Sequence, residues 1–123
     1  MPSFGTKSQE RLETCDPQIQ LVLQEAIKHY DFSVLEGHRT EEKQQEYFES
    51  GASKVKFPNS KHNVYPAMAV DVVPYPIDWD NLQRFKELSE VIKEACKTVG
   101  IENLHWGFDL WQWDMPHWEL RKK

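Results

Sequence analysis

The sequence has little that would tie it to a membrane or to nucleic acid. Its apolar runs are only a few residues long. That excludes a transmembrane helix, which takes about 20 predominantly apolar residues. Met1-Pro2-Ser3-Phe4-Gly5-Thr6-Lys7 holds no apolar stretch of the kind a signal peptide needs. Synthesis in a cytoplasm is therefore expected, with any export by another route. Basic side chains number 15 against 20 acidic ones, a formal charge of −5, and the only basic cluster is Arg121-Lys122-Lys123. A polyanion would be repelled on average, so nucleic acid is not an expected partner. Cysteine is scarce: Cys15 and Cys96 lie far apart, each in apolar, helix-like surroundings. Neither has a neighbouring cysteine for a metal knuckle, and a disulfide is not expected in a cytoplasmic product. Both read as buried free thiols.

What is present is enough for one core. The chain has 123 residues, 39% of them hydrophobic and 28% charged, which argues for one folded domain and against wholesale disorder. Aromatic residues are the unusual entry in the composition: five are Trp, three of them between positions 106 and 113. Asp16-Pro17 predicts a helix start, followed by Ile19, Val22, Leu23, Ala26, Ile27 and Tyr30 at helical spacing. Residues 32–36 predict a short strand ended by Gly37. Thr40 predicts the cap of a helix over 41–49, closed by Ser50-Gly51. Residues 52–66 read as an irregular loop and 67–73 as a strand ended by Pro74 and Pro76. Asp78 or Asp80 is expected to cap a long helix whose apolar face carries Leu82, Phe85, Leu88, Ile92, Ala95, Cys96 and Val99, closed by Gly100. Residues 103–108 and 117–120 predict two further strands, close in sequence and so antiparallel. The fold class is α+β, a small, mainly antiparallel sheet packed against helices.

Chemistry gathers around histidine and aspartate. His62 sits in the irregular loop, and nine positions later Asp71 interrupts the apolar run Ala69-Val70-Asp71-Val72-Val73. An aspartate there is costly to bury unless it is paired, hydrogen-bonded or bound to a metal; the alternative is a strand-end residue facing solvent. His117 enters the last strand. Two imidazoles and one carboxylate would make a three-ligand zinc site with one position open, as catalytic sites have. Asp114, three residues before His117, either starts a turn or takes a proton from water beside the metal. Glu119 shares a strand face with His117 and could orient it or compete as the base. His105, opposite Trp106 by strand alternation, reads as structural or as a support to a ligand. His29, at a helix end, carries no function, and His38 reads as a solvent-facing neighbour of Arg39.

Gly37-His38-Arg39-Thr40 with Gln44, Ser50-Gly51-Ala52-Ser53, Ser60-Lys61-His62, Ala69-Val70-Asp71-Val72-Val73-Pro74-Tyr75, Trp106-Gly107 and Asp114-Met115-Pro116-His117-Trp118-Glu119-Leu120 follow one another in a fixed order. Together they resemble the D-Ala-D-Ala carboxypeptidase-like zinc peptidases, with the hedgehog/DD-peptidase-like fold, and within them the phage L-alanyl-D-glutamate endopeptidases that act as endolysins. The resemblance implies that His62, Asp71 and His117 bind Zn2+ and that Asp114 is the catalytic base. It places Arg39 and Gln44 at substrate-facing positions, with Arg39 gripping a carboxylate of the peptide stem through its bidentate fork. The alternative for Arg39 is a surface ion pair with Glu41 or Glu42. Ser53 and Ser60 would line the cleft. The His62–Asp71 gap is two residues longer than in many members, with Val64-Tyr65-Pro66 at its middle, which makes Tyr65 a candidate addition to the cleft. Of Trp106, Trp111, Trp113 and Trp118, at least half are expected in the core and the rest are candidates for stacking on sugars.

The resemblance implies a zinc endopeptidase that hydrolyses the L-Ala–D-Glu bond of the peptidoglycan stem. Residues 1–123 are expected to be one catalytic domain without a separate wall-binding module, monomeric and not inserted in a membrane. The enzyme would wait in the host cytoplasm until a partner such as a holin opens the inner membrane. Two other readings stay open: a D-Ala-D-Ala carboxypeptidase or dipeptidase of the same fold, and a non-catalytic, zinc-stabilised peptidoglycan-binding module.

Overall fold

A computed structural model describes residues 2–122. Along the chain run α1 (Thr6–Leu12), α2 (Pro17–Ala26), β1 (Phe32–Glu36), α3 (Glu41–Ser50), β2 (Ala69–Pro74), α4 (Leu82–Val99), β3 (Leu104–Trp106), α5 (Gly107–Trp111) and β4 (His117–Leu120). The strands form one sheet in the order β1-β2-β4-β3, and every pairing is antiparallel.

Strand alternation divides this sheet into two faces with different work. Val70, Val72, Trp118 and Leu120 enter the main core, which they share with Ile19, Val22 and Leu23 of α2 and Phe85, Leu88 and Ile92 of α4. The opposite face carries polar side chains. Asp71 of β2 pairs in register with His117 of β4 and with Glu36 of β1, so three functional groups are set side by side by the backbone alone. The register slips between Val34 and Glu36, and this irregularity brings Glu36 opposite Asp71. The α4 stripe that buries Phe85, Leu88, Ile92 and Ala95 keeps helical spacing along the whole element. Truncating Phe85, Leu88 or Ile92 to Ala would cost about 2–5 kcal/mol.

Local chemistry fixes the element ends. Asp16 accepts a hydrogen bond from the Gln18 amide at 2.8 Å, and Pro17 opens α2. Thr40 Oγ1 accepts from the Lys43 amide at 3.2 Å, and Gly51 closes α3 with φ 83°, a left-handed conformation that favours glycine.

The structure corrects several expectations. Asn81, not Asp78 or Asp80, caps α4, accepting from the Arg84 amide; Asp78 Oδ1 accepts from the Asp80 amide in the preceding turn instead. The strand expected over 103–108 stops at Trp106, and α5 follows at once. Helix α2 ends at Ala26, with Ile27 as its cap. Cys15 lies outside any helix, in an isolated bridge to Ala67. Burial pushes its thiol up to about 12 and that of Cys96 to about 11, and both are free. No helix is long and apolar enough to cross a membrane among the described residues.

Candidate active site

His62 is held from three directions in the loop between α3 and β2. Its carbonyl accepts from the Arg39 amide at 2.7 Å, its amide donates to Ser60 Oγ at 3.2 Å, and its ring Nδ1 lies 2.7 Å from the Gly37 carbonyl. A carbonyl only accepts, so Nδ1 carries a proton and Nε2 is the nitrogen turned to the cluster. That Nε2 is buried and has no hydrogen-bond partner, although Asp71 Oδ1 is 3.4 Å away. Gly37 has to be glycine here: a Cβ would meet the Arg11 carbonyl at 2.5 Å and Cys15 Sγ at 2.8 Å.

Asp71 and His117 complete the cluster from adjacent strands. His117 Nδ1 lies 3.3 Å from Asp71 Oδ1, and its Nε2 lies 2.8 Å from Glu119 Oε1. Burial works against the charge on His117, but the hydrogen bonds to Asp71 and Glu119 outweigh it and push the imidazole up to about 9. Burial likewise opposes charge on Asp71, yet His62 and His117 hold its carboxyl well below the usual carboxylate range. For Glu119, burial is outweighed by the hydrogen bond to His117, and its carboxyl is lowered.

His62, Asp71 and His117 each offer one ligand atom, and the three atoms lie within 4.8 Å of one another. Tetrahedral zinc with N and O ligands at about 2.0–2.2 Å spaces those ligands roughly 3.3–3.6 Å apart. The 3.4 Å and 3.3 Å separations from Asp71 Oδ1 match that spacing. A buried, unpartnered imidazole nitrogen is what a metal would satisfy, and three protein donors leave a position open. These residues could hold a metal ion.

The cluster lies in a cleft of about 730 Å³ that Asp114 and Pro116 also line. The turn carrying Asp114 is pinned on two sides: Trp106 Nε1 donates to the Met115 carbonyl at 2.6 Å, and the Val72 amide donates to the Pro116 carbonyl at 2.9 Å. Gly107 lets that turn approach. A Cβ there would sit 2.8 Å from the Asp114 carbonyl oxygen and 3.1 Å from the Cβ atoms of Asp114 and His117. Burial raises the Asp114 carboxyl; His117 pulls it down and Asp71 pushes it up, and the net direction is upward.

The family model described as phage L-alanyl-D-glutamate peptidase matches residues 2–122. The chain belongs to this family. The L-alanyl-D-glutamate peptidase of Escherichia phage T5 is 32% identical over 111 residues, covering 86% of this chain and 80% of the relative. The crystal structure of the Serratia marcescens L-Ala D-Glu endopeptidase ChiX superimposes with a TM-score of 0.82 at 27% identity, covering 98% of this chain and 91% of that one.

Around the metal-competent cluster, the chain builds a polar wall that its sequence placed only in part. Arg39, Ser53 and Ser60 line the cleft. Gln44 does not: it is fully buried behind the wall. Its carbonyl accepts from Arg39 Nη1 at 2.9 Å, and its amide nitrogen donates to Ser53 Oγ at 3.0 Å and to the Val55 carbonyl. Gln44 therefore ties Arg39 to the cleft loop and has no surface to offer a substrate. Arg39 is also buried, and its fork is filled from within the chain. Nε and Nη2 both donate to Glu36 Oε1, at 2.8 and 2.5 Å, and Tyr47 stacks at 4.7 Å from the guanidinium carbon. The bidentate edge expected for a stem carboxylate is taken by Glu36, not by Glu41 or Glu42, and Nη2 stands 3.6 Å from Asp71 Oδ2.

Other side chains also find their places. Trp106 and Trp118 are core, while Trp111 and Trp113 are exposed on the cleft, with the Trp111 ring 5.6 Å from that of His117. Tyr65 is 70% exposed and packs edge-on against His38, outside the cleft lining. His105 is exposed on β3, in register with Glu119 of β4. Glu36, Asn63 and Lys54 were not singled out by sequence. Asn63 donates to the Arg39 carbonyl and to Gln44 Oε1, bracing the same wall.

Proposed function

We propose that this protein is a zinc-dependent peptidoglycan endopeptidase of the phage endolysin type, hydrolysing the L-Ala–D-Glu bond of the peptide stem. The observation that carries the reading is the buried, unpartnered His62 Nε2 converging with Asp71 and His117 in a cleft that also holds Asp114. His62 Nε2, Asp71 and His117 Nδ1 would be the zinc ligands. Zinc bound there supplies Lewis-acid polarisation of the scissile carbonyl and lowers the pKa of a bound water toward about 7.

The chain's own residues do the rest. Asp114, with its carboxyl raised by burial, takes the proton of the attacking water and returns it to the nitrogen of the leaving D-glutamate. A carboxyl raised by burial is a stronger base than an ordinary carboxylate, which favours the first half of the transfer, taking the proton from water. Glu119 orients His117 through Nε2, and Gly37 orients His62 through Nδ1. Arg39 and Gln44 position the wall, Ser53 and Ser60 line it, and the exposed Trp111 offers an apolar face beside His117.

The described residues act as the catalytic domain, reaching the wall from the host cytoplasm once the inner membrane is opened. A D-Ala-D-Ala carboxypeptidase would use the same donors, but the names of both relatives favour the L-Ala–D-Glu bond. A non-catalytic module would have no use for a raised carboxylate in the cleft. Stripping the protein with a chelator and restoring it with zinc tests the reading. Cleavage of an L-Ala–D-Glu peptide should vanish and return, with about one zinc bound per chain; cleavage that survives metal removal would refute it.

A further inference from the structure

Three cations line the cleft: Arg39, Lys54 and Lys61. Two are committed within the chain. Arg39 gives its guanidinium hydrogens to Glu36 and Gln44. Lys61 donates Nζ to the Leu120 carbonyl at 2.6 Å and lies 3.7 Å from Glu119 Oε2. Lys54 differs. Its ammonium stands 5.0 Å from the centre of the Trp113 ring, and among the described residues it has no carboxylate partner. Both Lys54 and Trp113 are exposed on the cleft. An aromatic face holds a cation through its quadrupole without neutralising it. The pair therefore presents a whole positive charge with reduced freedom at the rim of a cleft otherwise walled by Glu36, Asp71, Asp114 and Glu119.

Lys54, Trp113 and Asp114 line the same cleft. Trp113 directly precedes Asp114 in the chain. Cleavage of an L-Ala–D-Glu bond makes the D-glutamate nitrogen the leaving amine, the atom to which Asp114 returns its proton. The carbon bearing that nitrogen also bears the α-carboxyl, which stays free when the stem continues through the side-chain carboxyl. A cation that reads this group has to stand on the leaving-amine side, next to Asp114.

We propose that Lys54, seated on Trp113, recognises the free α-carboxylate of the D-glutamate residue and so selects stems in which that carboxyl is not amidated. This rests on the endopeptidase reading above. Arg39, the residue the family resemblance suggested for carboxylate binding, is then a positioning residue.

The test uses two synthetic stem peptides that differ only in an α-carboxylate or α-amide on D-glutamate. It compares kcat/KM on zinc-loaded protein and calorimetric binding of the corresponding D-glutamate-containing product fragments. The native protein should prefer the acid by about fivefold, the upper end for an ion pair at an exposed site. Lys54→Gln should bring that ratio close to one, and Lys54→Arg should keep most of it. Circular dichroism and zinc content show that the variants are folded and loaded. A ratio that survives Lys54→Gln, or a native protein indifferent to the amide in both readouts, overturns the proposal. If the native protein cleaves neither peptide but binds the acid fragment more tightly in a Lys54-dependent way, recognition stands and the endopeptidase reading falls.

Discussion

Glu119 Oε1 stands 2.8 Å from His117 Nε2, and the two residues share one face of β4. This contact decides which nitrogen of His117 is left for the cluster. A carboxylate only accepts, so Nε2 keeps its proton and Nδ1 faces Asp71. Glu119→Gln can still present an oxygen but not the charge. It should weaken zinc binding about tenfold, and Glu119→Leu more, by up to about a hundredfold. Competition with a chromophoric chelator measures this; unchanged affinity in both variants would remove Glu119 from the site.

The metal-free protein should show a definite pH window. His117 is pushed up to about 9 in the folded chain against an ordinary 6.5, so its contribution to stability is complete below about 6.5 and is lost as pH rises through about 9. Asp71 is depressed, so its contribution is present above its unfolded value near 3.8 and is lost as pH falls below that. Chemical denaturation of the metal-free protein should therefore show greatest stability between roughly pH 4 and 6.5. A metal ligand needs the bare nitrogen, so zinc affinity should climb from pH 6.5 to 9. Calorimetry in buffers of different ionisation heat should detect about one proton released per zinc near pH 7.5.

Asp114→Asn preserves shape and removes the proton acceptor. The variant should bind zinc as the native protein does and lose roughly 10²–10⁴-fold in kcat. Full activity in a zinc-loaded Asp114→Asn protein would move the proton transfer to Glu119.

Gly107→Ala probes the approach of the Asp114 turn. The new Cβ would sit 2.8 Å from a backbone oxygen, which cannot swing aside as a flexible side chain does. A cost of about 1–3 kcal/mol in stability is expected, together with reduced activity, because Asp114 and His117 must both give way. Thermal unfolding of the metal-free form checks the first and peptide hydrolysis the second.

Much of this architecture is written locally. Thr40 and Gly51 bracket α3, the α4 stripe repeats at helical spacing, and β1 and β4 have the expected bounds. Two short helices escaped because they are too brief for periodicity. Helix α1 buries only Ser8 and Leu12, and α5 occupies 5 residues of aromatic sequence that suits a strand equally well. The convergence of His62, Asp71 and His117 could be anticipated from type and order, whereas the contacts behind it could not. Gln44, in a charged helix, and Arg39, just before its cap, read as residues that face a substrate, and only tertiary packing reveals that they are buried and bonded to each other. Glu36 enters the site through a register slip between β1 and β2 that no local pattern encodes. Lys54 meets Trp113 across 59 positions of chain, a pairing set by how the loop folds over the cleft.

The most direct measurement is digestion of purified peptidoglycan by the zinc-loaded protein, with the new termini identified by mass spectrometry. The account predicts new amino-terminal D-glutamate and new carboxy-terminal L-alanine in equal amounts, absent in the chelated control. Release of D-alanine with intact L-Ala–D-Glu bonds, or no new termini from protein that holds its zinc, would contradict it.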